Sequence, residues 1–193
     1  DPSRATNGVR GGGPTQGSLD VYSLDYGERS ELVLGWHGAV VTDGPGADLV
    51  VFENAFRYEG GHFMDPVIVS VSRDGETWVD LSHEYAAGDP TRYSPDPDDW
   101  IGFAGLTPVL LHADTNPVDP FDPIAAGGDA FDLAELPDEG EAGVIRRDGA
   151  RYVRLESAAA RVNPATGARY PRDPTSAGAD IDGVFARYLV PPP

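Results

Sequence analysis

The chain has 193 residues, 40% of them hydrophobic, and a formal charge of −18, because 32 acidic residues face only 14 basic ones, all of them Arg. The lack of Lys excludes Schiff-base and phosphate-loop lysines, and the lack of Cys excludes disulfides, thiolate metal sites and cysteine nucleophiles. The negative field repels nucleic acids and anionic lipids but attracts divalent cations, so we expect no nucleic-acid partner. No apolar run approaches the roughly 18 residues of a membrane span, so we expect no membrane insertion.

Short runs rich in Val, Leu, Phe and Tyr alternate with turn residues, and helical periodicity is nearly absent, which predicts an all-β protein. The predicted strands are 19–24, 31–36, 48–54, 66–72, 76–81, 106–111, 151–156 and 183–189. Eight strands suit a two-sheet sandwich. No shift in composition divides the chain, so we expect a single β-sandwich domain over 1–193, with an N-terminal extension at 1–16 and a tail at 190–193.

The strand predicted at 66–72 alternates Val67, Val69 and Val71 with other residues, so we expect the valines in the core and the intervening serines facing outward. A hairpin is predicted at Asp74-Gly75, since these residues tolerate the positive φ of a tight turn. Long connections rich in Asp, Pro and Gly follow, and loops of this length are often functional, so a ligand site is expected there. These connections are 82–105, 112–129 and 157–180.

Acidic motifs lie at the ends of three apolar runs: Glu53 and Asn54, then Asp129 and Asp132, then Asp182. Carboxylates held near a core repel one another unless a cation joins them. Oxygen ligands without thiols favour a hard cation such as Ca²⁺, which accepts about 6–8 oxygens. We therefore predict that these five residues converge on one Ca²⁺ ion. The second-rank ligands are Asp20, Asp43 and Asp48.

Two other interpretations of the polar residues stay open. In the first, Asp129 and Asn54 merely cap turns while Asp132 and Asp182 lie exposed, because a chain with 32 acidic residues forms clusters by chance. In the second interpretation, His side chains from different loops form a transition-metal site, although these residues do not have the sequence spacing typical of metal ligands. Its candidate ligands are His62, His83 and His112.

Aromatic residues in loops offer ring faces that can stack on sugars. Trp100 and Tyr93 lie in the acidic loop and are the predicted ligand-binding residues. An aromatic residue that pins a long loop to the sandwich is the alternative for both. Trp78, by contrast, is expected to pack within its hairpin.

The segment 70–78 resembles the S-x-DG-x-x-W hairpin of discoidin domains, also called coagulation factor type C domains, and 150–155 resembles the A-R-Y-V-R-I/L strand of that family. The flanking motifs are more similar to those of a group of bacterial cell-surface proteins, common in myxobacteria. The matching stretches are Gly44–Asn54, Gly105–Val109, Asp119–Pro123, Gly127–Leu133 and Asp180–Val184.

The resemblance implies a jelly-roll β-sandwich of the galactose-binding type, with long acidic loops in this chain. It also implies an exported protein that often holds structural Ca²⁺ and usually serves as a binding or adhesion module. The chain lacks the terminal Cys pair of discoidin domains. Their sugar and lipid specificity is therefore not transferred.

Together these features predict a calcium-binding module that is secreted or displayed on the bacterial cell surface, its signal peptide removed. Its expected partner is an extracellular glycan or a surface protein, and catalysis is not expected. One alternative is a polysaccharide-acting hydrolase with a loop carboxylate pair. The other is a purely structural spacer in a surface assembly.

Overall fold

The computed structural model describes residues 1–192, and within this range the chain consists mostly of short strands in antiparallel sheets with little helix. The prediction of an all-β protein is confirmed. The strands are β1 (Tyr22–Ser23), β2 (Glu31–Gly35), β3 (Val40–Val41), β4 (Leu49–Glu53), β5 (Phe56–Tyr58), β6 (Gly61–Phe63), β7 (Val67–Ser72), β8 (Val79–Asp80), β9 (Glu84–Tyr85), β10 (Trp100–Ile101), β11 (Asp129–Phe131), β12 (Tyr152–Ser157), β13 (Asp180–Ala186) and β14 (Leu189–Val190). The helix α1 is Gly140–Asp148, and 3₁₀ helices span Pro2–Ala5, Pro97–Asp99, Leu133–Glu135 and Ala158–Ala160.

Two four-stranded sheets form the body of the fold, one in the order β1-β13-β4-β11 and the other in the order β2-β12-β7-β8. Three two-stranded pairs flank them: β3 with β14, β5 with β6, and β9 with β10. In the first sheet β4 lies between β13 and β11 and is antiparallel to both. A bulge at Asp182 interrupts the β13–β4 register, because Ile181 pairs with Glu53 whereas Gly183 pairs with Phe52.

The main hydrophobic core lies between the two sheets. Leu49 and Val51 of β4 belong to the same buried cluster as Val69 of β7 and Leu155 of β12. Side chains alternate along a strand, so these residues mark the inward faces of the two sheets. The inward valines of β7 agree with the prediction.

Each sheet is also covered on its outer face, which explains why every residue of β4 and β7 is buried. On the first sheet, Phe52 clusters with Val109, Leu111 and Ala126, which lie between β10 and β11. On the second sheet, Ile68 packs against Trp100 and Phe103 of the 82–105 connection. The serines of β7 face outward as predicted, but both are fully buried, Ser70 against Asp80 and Arg154, and Ser72 against Asp74. The long connections are therefore partly a second layer of packing.

Several predicted boundaries differ from the structure. Residues 106–111 form only an isolated bridge at Val109, and the strand expected at 183–189 begins at Asp180. The predicted N-terminal extension packs on the body, where Val9 is buried and the 3₁₀ helix Pro2–Ala5 contacts β13. The predicted tail overlaps β14, and Pro193 lies outside the described residues.

Candidate metal centre

Strand β4 separates the predicted metal ligands into groups, because acidic residues occur at both of its ends. Asp48 directly precedes the strand and Glu53 ends it. At about 3.3 Å per residue these two positions lie roughly 16 Å apart. Ligands of one Ca²⁺ ion lie about 2.3–2.6 Å from it, so a single ion cannot bind at both ends.

The first group lies where β4 begins and β11 ends. Carboxylate oxygens of Asp43, Asp48 and Asp132 all lie within 4.8 Å of one another, and this is the one such trio of acidic or imidazole groups among residues 1–192. Antiparallel pairing places Phe131 opposite Leu49 and so brings Asp132 beside Asp48. We call these three residues the aspartate trio, and their spacing suits a cation with oxygen ligands.

Asp48 is the fixed member of the aspartate trio. Its side chain is fully buried, and its two oxygens accept hydrogen bonds from the backbone N–H groups of Gly44 at 3.0 Å and Leu133 at 2.8 Å. Burial raises the pKa of Asp48 to about 6, and the charges of Asp132 and Asp43 act in the same direction. A divalent cation at this position would reverse that electrostatic penalty.

Asp132 and Asp43 form the open side of the trio. Asp132 caps the 3₁₀ helix that starts at Leu133, its Oδ1 accepting from the N–H of Ala134 at 2.8 Å. Asp43 lies exposed in the connection between β3 and β4. The trio therefore combines one rigid buried carboxylate with two accessible ones.

Glu53 and Asp129 form a second group near the other end of β4. The register pairs Asp129 with Val51, two residues before Glu53, so both acidic side chains are on the core-facing side of the sheet. Burial raises the pKa of both carboxyl groups. Three backbone N–H groups stabilise Asp129, from Gly105, Leu106 and Thr107 at 2.8–3.4 Å.

Asn54 does not join either group. Its Oδ1 accepts from the backbone N–H of Ser18, and its Nδ2 donates to the carbonyl of Ser18 at 3.1 Å. This two-bond clamp uses both ends of the amide and ties the N-terminal segment to β4. Asn54 thus acts as a structural clamp, not as a ligand shared with Glu53.

Asp182 and Asp20 lie around Arg10. Both oxygens of Asp182 accept from the backbone N–H of Arg10 at 3.0 and 3.1 Å, and burial raises the pKa of this carboxyl to about 6. Asp20 forms an ion pair with the guanidinium of Arg10 at 3.2 Å and another with Arg4 at 3.6 Å. These Arg side chains already supply cationic charge, so this region has less need of a metal ion.

The predicted single site is thus not assembled, since the structure places its five residues in four different surroundings. Asp65 is a buried acid that the sequence analysis missed, with 5% of its surface exposed. Its Oδ1 accepts from the Tyr26 hydroxyl at 3.1 Å and its Oδ2 from the Ser176 hydroxyl at 2.6 Å. The Asp-Pro step directly before the apolar run of β7 was the available signal for it.

The two predicted ligand-binding aromatics differ in accessibility. Trp100 is fully buried, packs on Tyr85 and Phe103, and donates from Nε1 to the carbonyl of Ser94 at 3.0 Å. Its ring has no free face for a sugar, so this prediction is corrected: Trp100 pins the loop. Tyr93 is half-buried and lines a shallow groove of about 250 Å³, while its hydroxyl donates to the carbonyl of Met64 at 2.9 Å.

A larger polar cleft of about 460 Å³ opens beside β8. Asp80 accepts from Arg161 at 2.6 Å, and this bond, with that from Ser70, outweighs burial and lowers the pKa of Asp80. The Nδ1 of His83 lies 2.9 Å from the carbonyl oxygen of Leu81. In the neutral ring, Nδ1 would carry the proton and donate to this oxygen, which leaves Nε2 as a hydrogen-bond acceptor. Apolar side chains complete the cleft: Ile68, Leu81, Val162, Pro164 and Tyr170.

An imidazole-based metal site finds no support in the described part of the chain, because the aspartate trio is the one group of possible ligands there and it contains no His. None of the helices described is long and apolar enough to cross a membrane.

Comparisons with protein-family models, curated proteins and solved structures found no match to the chain.

Proposed function

We propose that the protein is an extracellular β-sandwich module of the jelly-roll, discoidin-like type that binds Ca²⁺ at the aspartate trio and recognises a glycan through a separate cleft. The observation that carries the calcium proposal is the convergence of three carboxylates within 4.8 Å, one of them fully buried. Only oxygen ligands are present, and these favour Ca²⁺ over softer metals. The net charge of −18 further concentrates cations at the surface.

A bound ion at the trio would join three parts of the chain. Asp43 lies early in the connection between β3 and β4, Asp48 is the last residue of that connection, and Asp132 lies in the turn after β11. Because the Asp48 oxygens already accept two backbone N–H groups, the ion would bind to a preformed anchor. This arrangement supports a structural ion that fixes loops, not a catalytic one.

Replacing a trio residue by its amide is expected to weaken calcium binding. Asp43→Asn and Asp132→Asn remove one charged ligand each, and we expect calcium affinity at this site to fall by about 10-fold or more. Isothermal titration of CaCl2 into chelator-treated protein measures this effect. Asp98→Asn changes an exposed acid outside the trio and serves as the matched control. Unchanged affinity in both trio variants would refute the calcium proposal.

The cleft beside β8 is the proposed glycan site. Sugars present hydroxyl groups around an apolar ring face, and this cleft combines the charged pair Asp80–Arg161 with His83 and the apolar Val162 and Tyr170. Its volume lies within the usual range of about 300–1,000 Å³ for small-molecule sites. A polysaccharide hydrolase usually needs two carboxyl groups on either side of the bond it cleaves. The lining of this cleft contains one acid, Asp80, so the cleft does not support that alternative.

Filling the cleft is expected to abolish glycan binding without destabilising the fold. Val162 is 59% exposed in the cleft wall, so Val162→Trp adds bulk without disturbing the core. Ile124→Trp is the matched control, because Ile124 is 86% exposed and lies outside the cleft. A glycan array probed with the three proteins is the measurement. A wild-type ligand retained by Val162→Trp, or no ligand at all, would contradict the glycan proposal.

A further inference from the structure

Strand β2 lies at one end of the second sheet and has a hydrogen-bonded neighbour, β12, along one edge only. With five residues it is longer than β1, β8 and β11, the other end strands of the two main sheets. It contains one charged residue, Glu31, and no Pro. Proteins usually shorten, charge or bulge such an edge, because a bare edge pairs with other chains. The outer edge of β2, which we call the free edge, is therefore open to a further strand.

The register with β12 shows which backbone groups face the free edge. The N–H of Ser157 donates to the carbonyl of Ser30 at 2.8 Å, so these two residues form a hydrogen-bonded pair. Bonded and non-bonded pairs alternate along antiparallel strands. Every second residue after Ser30 thus bonds to β12, and the residues between them point their N–H and carbonyl groups outward: Glu31, Val33 and Gly35. No backbone hydrogen bond within residues 1–192 reaches these outward groups, and all three residues are exposed.

An apolar groove of about 350 Å³ lies at the C-terminal end of β2. Its walls include Leu34 and Trp36, together with Val184 of β13 and Leu189 of β14. Leu34 and Trp36 are on the core-facing side of the strand, where they pack against the main core and are only partly buried. Alternate side chains of a strand added at the free edge would point the same way and so reach this groove.

We propose that the free edge of β2 binds an extended, cationic peptide segment of a partner protein by β-strand addition. The backbone of Glu31, Val33 and Gly35 would bond to the main chain of the segment, and its alternate apolar side chains would fill the groove. The chain carries a charge of −18, and the Glu31 side chain, 53% exposed, offers a cross-strand partner for Arg. A second copy of this chain fits less well, since two chains of the same charge repel each other.

This surface is separate from the proposed glycan site. The glycan cleft lies beside β8, at the opposite end of the same sheet. The two proposals share no residue, so either can fail without the other.

The probe is a labelled peptide with the sequence Arg-Val-Thr-Val-Thr-Val-Arg. In an extended strand its valines share one face, and an Arg meets the Glu31 end of β2 whichever way the peptide runs. Fluorescence anisotropy during titration with the full chain, in about 0.15 M NaCl to screen unspecific attraction, measures binding. We expect saturable binding. The peptide Arg-Ser-Thr-Ser-Thr-Ser-Arg has the same charge without apolar side chains, and it should bind at least about 10-fold more weakly.

Val33→Pro removes one N–H from the free edge. This N–H takes no part in the ladder with β12, and Pro is found at such edge positions in sheets. We expect the affinity for the valine peptide to fall by about 10-fold or more, because the strand loses a donor and the ring obstructs its partner. Val33→Thr keeps the N–H and the branched shape, so it should bind like the wild type. Val162→Trp, which fills the glycan cleft, should also leave peptide binding unchanged.

Three outcomes would overturn the proposal. The first is no binding of the valine peptide, or equal binding of both peptides, which would reflect plain attraction to an acidic surface. The second is wild-type affinity in a folded Val33→Pro variant. The third is a dimer in sedimentation that Val33→Pro dissociates, since a second copy would then occupy the edge. If circular dichroism shows that Val33→Pro does not fold, the two peptides on the wild-type chain still decide the question.

Discussion

Calcium is expected to raise the melting temperature of the protein strongly at pH 8 and only weakly at pH 5. A ligand present at 100 times its dissociation constant stabilises the native state by about 2.7 kcal/mol per site. For a chain of this length each kcal/mol shifts the melting temperature by about 2–4 °C, so one ion corresponds to about 5–11 °C. The difference between the two pH values reflects proton competition for the same carboxylates.

The direction of the pH effect follows from three buried acids. Burial raises the pKa values of Asp48, Asp65 and Asp182 to about 6 from an ordinary value of 3.8. The folded state therefore holds these protons more tightly than the unfolded state. The stability that these three bound protons contribute is fully present below about pH 4 and is lost as the pH rises through about 6. Of these three acids only Asp48 belongs to the aspartate trio, so calcium offsets the part of this loss that Asp48 causes, and it does so above about pH 6, where this carboxylate is ionised.

Thermal melts with CaCl2 or with EDTA at both pH values measure this effect. MgCl2 at the same ionic strength is the control, since salt also screens the repulsion within a chain of charge −18. Magnesium prefers a small octahedral shell, so we expect a weaker shift than with calcium. Equal melting temperatures in CaCl2 and EDTA at pH 8 would contradict calcium binding at the aspartate trio.

Trp100→Ala is expected to lower the free energy of unfolding by about 3–5 kcal/mol, the usual cost of removing a large buried aromatic. The ring of Trp100 lies 4.0 Å from that of Tyr85 and 5.2 Å from that of Phe103, measured between centroids. Its loss would open a cavity in the outer layer of the second sheet and leave the carbonyl of Ser94 without its donor. The 82–105 connection should loosen as a result.

Urea denaturation compares Trp100→Ala with Ile101→Ala, a substitution in the next residue of the same strand. Ile101 is 54% exposed, so its removal should cost far less. Glycan binding by Trp100→Ala at low temperature gives a second readout. Wild-type stability combined with lost glycan binding would show that Trp100 faces a ligand, against the buried position described above.

The fold was predictable where local pattern and burial agree. The alternating valines of β7 and the apolar run of β4 identified two central strands within about one residue. Strand β11 was missed because it has only three residues and follows two glycines. Helix α1 was missed because it begins at Gly140, contains Gly143, and buries only Gly143 and Ile145, which leaves no apolar periodicity to detect.

Several acidic residues of the candidate metal centre could be named from the sequence, but their grouping in space could not. The sequence identified Asp48, Asp132, Glu53 and Asp129 as candidate ligands but did not specify strand direction. A parallel β11 would have brought Asp132 towards Glu53, whereas the antiparallel pairing observed brings it beside Asp48. Strand direction depends on tertiary packing, so no local pattern could have separated the two groups.

The position of β4 has a mechanical consequence. Hydrogen bonds to β13 and β11 hold the strand along both edges, and acidic groups lie at its two ends. A Ca²⁺ ion bound at the aspartate trio would tie the start of β4 to the turn after β11 and to the connection between β3 and β4. A pulling force on the protein would then have to break the bonds between the ion and these carboxylates before the sheet could shear, so resistance to stretching would rise with the calcium concentration.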